Sequence, residues 1–282
     1  MPAVGRTRGR SDDPIDGRGC CVEVVIVPDA DAAADLVTGV IADVLADNST
    51  PVLGLATGSS PLGVYRRLID GCASGALTAA HASAVLLDEY VGIPADHPEA
   101  YRAFIRRELV DHIDLPAARL FGPDVAADDL ASACRDYDRL ISDLGGVDVQ
   151  LLGIGADGHI GFNEPGSSLG SRTRIKTLTR ATRADNARWF DDHADDVPRH
   201  VVTQGLGTIL EARHLVLIAS GSAKAEPIAR AVEGPLSAMC PASVLQLHPH
   251  ATVVVDEPAA ARLDRVAYYR EAYEHKPDWQ RL

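Results

Sequence analysis

Lysine is scarce in this chain: Lys176, Lys224 and Lys276 are the only three among 282 residues, and arginine supplies the rest of the 27 cationic side chains. Arginine and aspartate carry most of the charge. We read that as a compositional bias of the genome, one that makes each lysine more informative. Cysteine is sparse and scattered. Cys20, Cys21, Cys72, Cys134 and Cys240 are odd in number and form no CxxC. That excludes a disulfide framework or a zinc ribbon and points to reduced thiols in a reducing compartment, the cytoplasm. Apolar runs are short, and none reaches the length of a membrane span. The first 19 residues hold Gly, Arg, Asp and Pro without a hydrophobic stretch. We therefore expect residues 1–20 to be a disordered leader rather than a signal peptide.

Positive charge is also in deficit. With 40 acidic side chains the net charge is −13, which disfavours nucleic acid and anionic membrane as partners. An anionic ligand would need a locally positive site. Hydrophobic content of 46% and charged content of 24% are ordinary for a globular protein, and residues 21–282 are read as a single domain.

From residue 21 onward short apolar runs alternate with amphipathic ones. Strands are expected at 22–27, 52–55, 84–87, 147–152, 215–219 and 251–255. Helices are expected at 30–47, from Pro61, at 100–113, 128–144 and 223–233, and near the end of the chain. Continuous apolar strands between helices indicate parallel βαβ units. The expected fold class is α/β: a Rossmann-like, mostly parallel sheet with helices on both faces. Residues 179–200 differ, being polar and rich in Arg and Asp with Trp189 and Phe190 adjacent. They read as a lid-like excursion.

Ligands of parallel α/β sheets bind at the carboxyl ends of strands, so the residues there are the candidates for chemistry. After the second strand come Thr57, Gly58, Ser59 and Ser60, with Pro61 opening a helix. Small residues and free N–H groups at a helix start suit a phosphate, though the same loop would serve as a plain tight turn. It is neither a Walker A loop nor GxGxxG. After the third strand comes Asp88, a general base or a turn cap. After the fourth, Gly153 to Pro165 surrounds His159 with four glycines and with Asp157 and Glu164. A glycine-rich loop has no packing use for three ionisable groups, and a carboxylate beside an imidazole fixes its tautomer. One histidine with no second nearby is a thin metal ligand set, and no metal or other cofactor is expected. Lys224, opening a helix after a strand, and Arg188, in the excursion, are candidate phosphate cations or ordinary surface charges.

The segments LATGSSPLGVY, LDEYVGIPADHPEAY, GIGADGHIGFNEPGSSL, SRTRIKTLT, GSAKA and LQLHPHATVVVDEP together resemble the glucosamine-6-phosphate deaminase family, from about residue 22 onward. The resemblance implies a substrate, glucosamine 6-phosphate, and a set of roles. Asp88 would be the base moving a proton between C2 and C1, and His159 the ring-opening group with Asp157 and Glu164 as its partners. Thr57, Gly58, Ser59, Ser60, Arg188 and Lys224 would hold the phosphate. Ser167, Arg174, Lys176 and Thr177 match a site where some members bind N-acetylglucosamine 6-phosphate as an activator. The activator-contacting tyrosine falls at Tyr268 or Tyr269. The family also implies a homo-oligomer. Two positions depart from its usual pattern: Leu86 stands where many members have Asn, and the loop reads TGSSP. Two other readings use the same motifs: a 6-phosphogluconolactonase, which follows DGH with a different run, and a non-enzymatic sugar-phosphate sensor domain.

Overall fold

The computed structural model describes residues 22–277, 280 and 282; the expected leader, with Cys20 and Cys21, lies outside them. Among the described residues the strands are β1 (Val22–Val27), β2 (Val52–Leu55), β3 (Ser83–Leu86), β4 (Asp88–Tyr90), β5 (Leu120–Phe121), β6 (Val149–Leu152), β7 (Arg174–Thr177), β8 (His200–Thr203), β9 (His214–Ala219) and β10 (Ala251–Asp256). The α-helices are α1 (Ala30–Asp47), α2 (Leu62–Ala73), α3 (Tyr101–Glu108), α4 (Leu130–Asp143), α5 (Arg180–Asn186), α6 (Leu206–Ile209), α7 (Ala225–Val232), α8 (Glu257–Ala260) and α9 (Val266–Glu274).

Seven strands form one sheet in the order β1-β10-β9-β6-β2-β3-β5, and every neighbouring pair in it is parallel. Successive side chains of a strand point to opposite faces, and here both faces are covered. Leu152, Leu217, Val253 and Val255 enter one core. Leu151, Val216, Ile218 and Val254 enter the other. That two-sided burial is why these strands read as unbroken apolar runs. In the middle of the sheet Gly54 of β2 faces Gln150 of β6. A Cβ on Gly54 would lie 2.0 Å from Gln150 Oε1, so the missing side chain makes room for the carboxamide.

The strand order reverses between β2 and β6. From β2 the chain winds outward through β3 to β5, and from β6 it winds the other way through β9 to β10, which enters between β9 and the first strand, β1. The loops after β2 and β6 therefore diverge above the sheet and leave a crevice, the usual ligand position in such folds.

Three expectations are corrected. The third strand spans Ser83–Leu86 rather than 84–87, and Asp88, expected in a loop after it, belongs to β4 of a second sheet. That sheet, β4-β8-β7, is antiparallel, and the residue 179–200 excursion is the connection between β7 and β8. The helix expected over 100–113 stops at Glu108. Leu109 leaves helical geometry at φ −145°, and a 3₁₀ turn, Val110–His112, follows. The connection has its own small core of Tyr90, Phe162, Leu178, Phe190 and Val201. So Phe190 points inward while Trp189, next to it, is exposed.

Candidate active site

The crevice holds a cavity of about 610 Å³, whose lining includes Thr57, Gly58, Ser59, Ser60, Lys224 and Arg188 together with Asp88, Asp157 and His159. Four strand ends and the β7–β8 connection contribute to it. The 57–60 loop leaves β2, the glycine-rich loop leaves β6, the Lys224 turn leaves β9, and Asp88 follows β3.

The 57–60 loop is braced from below. Tyr65, fully buried on α2, donates its hydroxyl to the Ala56 carbonyl at 2.5 Å. Gly58 takes φ +95°, a left-handed conformation that glycine adopts without strain. Lys224 donates from Nζ to the Ile154 carbonyl at 2.6 Å, which aims the ammonium into the cavity. Burial, and then the Arg188 charge, lower its pKa. The two cations are close enough for each to feel the other's charge.

The Asp157 carboxylate receives the backbone N–H of His159 at 3.1 Å and faces His159 Nδ1 at 2.6 Å. That hydrogen bond, chiefly, holds the Asp157 carboxyl below the usual carboxylate range. An ionised carboxylate only accepts, so Nδ1 carries the hydrogen, and in the neutral imidazole the acceptor is Nε2. The imidazole lies directly over Gly155, where a Cβ would come within 2.1 Å of the ring. This glycine is required by close approach, not by backbone angle.

Asp88 is 5% exposed. Burial first, and the neighbouring Glu89 charge second, push its carboxyl well above the usual range. Glu89 turns away from the cavity. It receives the backbone N–H groups of Tyr90, Tyr101 and Arg102, each at 2.9 Å, and so caps α3 onto β4.

Glu164 is placed differently from expectation. Its Oε1 receives the hydroxyls of Thr179, at 3.3 Å, and Thr182, both from the β7–β8 connection. Of the two carboxylates expected to flank His159, Asp157 alone is bonded to it; the loop turns after Gly161 and carries Glu164 toward α5. Arg174 and Lys176 share one half-buried face of β7, and Ser167 is buried nearby in chain, bonded through its N–H to the Glu164 carbonyl at 3.0 Å. Thr177 pairs with His200 Nδ1 at 3.2 Å. Tyr268 is not brought to this group. It is 61% exposed on α9, which packs along edge strand β1, and its ring partner is Tyr269.

Sequence reasoning missed Glu99, Tyr101, Asn186 and Thr182 as cavity-lining residues. Tyr90 takes hydrogen bonds at its hydroxyl from Tyr101, at 3.3 Å, and Asn186 Nδ2, at 3.0 Å. The motif LDEYVGIPADHPEAY contained both tyrosines, but nothing local in it marked them as neighbours in space.

Comparison with known proteins places this geometry. A solved monomeric glucosamine-6-phosphate deaminase superimposes with a TM-score of 0.83 at 41% identity, covering 86% of this chain and all of that one. The 6-phosphogluconolactonase of Trypanosoma brucei superimposes at 0.69 with 19% identity, over 86% of this chain and 98% of that one, which is a likeness of fold alone. Among curated relatives, glucosamine-6-phosphate deaminase of Streptomyces coelicolor is 57% identical over 259 residues, 92% of this chain and 99% of that protein. Its counterpart in Mycolicibacterium smegmatis is 55% identical with the same coverage. The family model for glucosamine-6-phosphate isomerases/6-phosphogluconolactonase matches residues 29–255, and the chain belongs to that family.

Proposed function

We infer that the chain is an enzyme, a glucosamine-6-phosphate deaminase, converting glucosamine 6-phosphate and water to fructose 6-phosphate and ammonia. One observation carries the reading. A buried carboxylate, a carboxylate-held imidazole, two cations and a small-residue loop all line one cavity.

The steps follow from the groups present. The phosphate lies between Lys224, Arg188 and the 57–60 loop. His159 Nε2 takes the proton of the C1 hydroxyl and returns one to the ring oxygen, opening the pyranose. Asp88, desolvated and therefore a stronger base than an exposed carboxylate, removes the C2 proton and delivers it to C1, while one proton of the C2 ammonium passes to O1 and leaves the C2 iminium. Water then adds to the C2 iminium, and ammonia leaves. Asp157 orients the imidazole. Glu164, bonded to Thr179 and Thr182, ties the glycine-rich loop to the lid-like connection rather than acting on substrate.

A coupled assay of ammonia release from glucosamine 6-phosphate tests the reading. Turnover of that substrate is expected. Hydrolysis of 6-phosphogluconolactone without ammonia release would replace the reading with the lactonase one, and saturable binding of the sugar phosphate with neither activity would favour the sensor.

Further points belong to the same proposal. Residues 21–282 act as one domain. Arg174, Lys176, Thr177 and Ser167 form an activator site for N-acetylglucosamine 6-phosphate, supported by the shared face of the two cations on β7. Tyr268 reaches it only from another copy of the chain. A half-saturating substrate concentration unchanged by saturating activator would remove that site from the proposal. The chain works as a homo-oligomer in the cytoplasm; light scattering decides between that state and the monomer of the 41% identical relative. No helix among the described residues is long and apolar enough to cross a membrane.

A further inference from the structure

Asn163 lies in the glycine-rich loop four residues after His159, and none of the roles above uses it. Its side chain is completely buried. A buried carboxamide must find hydrogen-bond partners, and this one finds three. Nδ2 donates to the carbonyls of Ile160, at 3.0 Å, and Gln204, at 2.9 Å. Oδ1 receives Arg174 Nη1 at 2.9 Å. These partners fix which way the amide points. A guanidinium only donates, so oxygen faces it; carbonyls only accept, so nitrogen faces them.

The two carbonyls belong to opposite sides of the catalytic arrangement. Ile160 follows His159 directly. Gln204 is tied to the segment leading into Asp88, with its N–H on the Leu87 carbonyl at 2.8 Å and its Nε2 on the Leu86 carbonyl at 2.9 Å. The space between the two segments is small. Gly161 takes φ +55°, and a Cβ there would lie 3.0 Å from Thr203 Oγ1 and 3.4 Å from Asp88 Oδ2. Thr203 is paired with Asp88 across β4 and β8, and its hydroxyl receives the Phe162 N–H at 3.2 Å. One carboxamide therefore spans the segment that carries the imidazole and the segment that carries the base.

We propose that Asn163 is a positioning residue that sets His159 against Asp88, with Arg174 as its outer anchor. The inference rests on the deaminase reading. It also gives Arg174 a second task. Half-buried and committed to Asn163, its guanidinium supports turnover when no activator is bound. A buried polar network specifies geometry when every member is satisfied, and loses that power when one partner is removed.

The test begins with ammonia release by the wild-type chain; its absence would break the deaminase reading and leave the packing argument apart. Active sites in each variant are counted by calorimetric titration with fructose 6-phosphate, so that loss of folded protein is not taken for loss of rate. Asn163→Asp keeps the shape but presents only acceptors to two carbonyls. A displacement of about 1 Å between reacting groups costs about 10² in rate, so kcat per titrated site is expected to fall by that order with KM little changed. Arg174→Ala alters a half-buried side chain at the edge of a strand and reports even where Asn163→Asp does not fold. Its kcat per site is expected to fall about tenfold, the order of one charge-assisted hydrogen bond, and Arg174→Lys, which can still donate to Oδ1, is expected to recover part of the loss. A role in stability alone would lower the thermal midpoint and leave kcat per titrated site at the wild-type value in the variants that fold. That result would overturn the proposal.

Discussion

Around the seven-stranded sheet, apolar side chains of successive residues fill two cores on opposite faces, and the strands hold one another by that burial. The three-stranded sheet is held differently. Its strands and their neighbours bury Asp88, Glu89, Asn163, Thr203 and Gln204, and most of the contacts that fix them are hydrogen bonds. The first arrangement stabilises the fold and, under the proposed function, leaves its loop ends free to hold a phosphate. The second places polar groups in a low-dielectric setting where they cost stability unless satisfied, and where a carboxylate becomes a useful base. If this contrast holds, substitutions in the small sheet should damage turnover more than stability, and those in the large sheet the reverse.

The largest effect is expected at Asp88. Asp88→Asn should lower the rate of ammonia release by about 10²–10⁴, the usual cost of losing a positioned general base. Its stability should rise. The folded carboxyl has a raised pKa, so the fold binds the proton more tightly than the unfolded chain does. Wild-type stability is then fully present below the unfolded value and falls as pH rises through the folded one. The variant escapes that loss. Its thermal midpoint should exceed the wild-type midpoint at neutral pH, and the gap should close as pH falls to about 4, the unfolded carboxylate range. A lower midpoint for Asp88→Asn at neutral pH would break the comparison at its strongest point.

Leu217→Ala in the large sheet should do the opposite. Leu217 is fully buried, and such truncations cost about 2–5 kcal/mol. Denaturant unfolding should show that loss while kcat per folded molecule stays near wild type.

Gly155→Ala sharpens the boundary between the two regions, because it sits on a large-sheet loop yet touches the imidazole. The added methyl needs the space His159 occupies, so kcat should fall about 10²-fold by displacement of the ring. Wild-type turnover in this variant would mean that the ring position is not critical.

Lys224→Ala and Arg188→Ala should have the smallest effects, confined to binding. Each removes a charge-assisted hydrogen bond worth about 1.5–3 kcal/mol, which should raise KM for glucosamine 6-phosphate with little change in kcat. Equal KM values for phosphorylated and free glucosamine in the wild type would show that the anion is held elsewhere.

The same contrast explains what could be read from sequence. β2, β6, β9 and β10 were legible because burial on both faces demands continuous runs such as HLVLIA and ATVVVD, and edge strand β1 because it is still mostly valine and isoleucine. β4 reads Asp-Glu-Tyr and β7 Arg-Ile-Lys-Thr, and neither carries an apolar pattern; β4 buries its polar groups, β7 is only half-buried, and the strand that pairs with β4 lies far away in the chain. β5 has two residues, too few for any period. In the site, His159, Asp157 and the 57–60 loop stood out because glycines and ionisable groups crowd together in a short stretch. Asn163, Thr203 and Gln204 did not. A buried amide looks like a surface one until its partners are known. Glu164 misled for a related reason: adjacency in sequence suggested His159, while the turn at Gly161 sends it to Thr182.

The fit between Gly54 and Gln150 has a consequence for the history of this chain. A methyl group at position 54 would collide with the carboxamide at position 150. Neither β2 nor β6 has slack at that level, since all four residues of each are buried. The two positions therefore cannot drift independently, and the order of change matters. Residue 150 must shrink before residue 54 can grow, while the reverse order passes through an overpacked intermediate. Lineages that carry a larger side chain at 54 are expected to have acquired a smaller one at 150 first, so that this pair records a direction of descent.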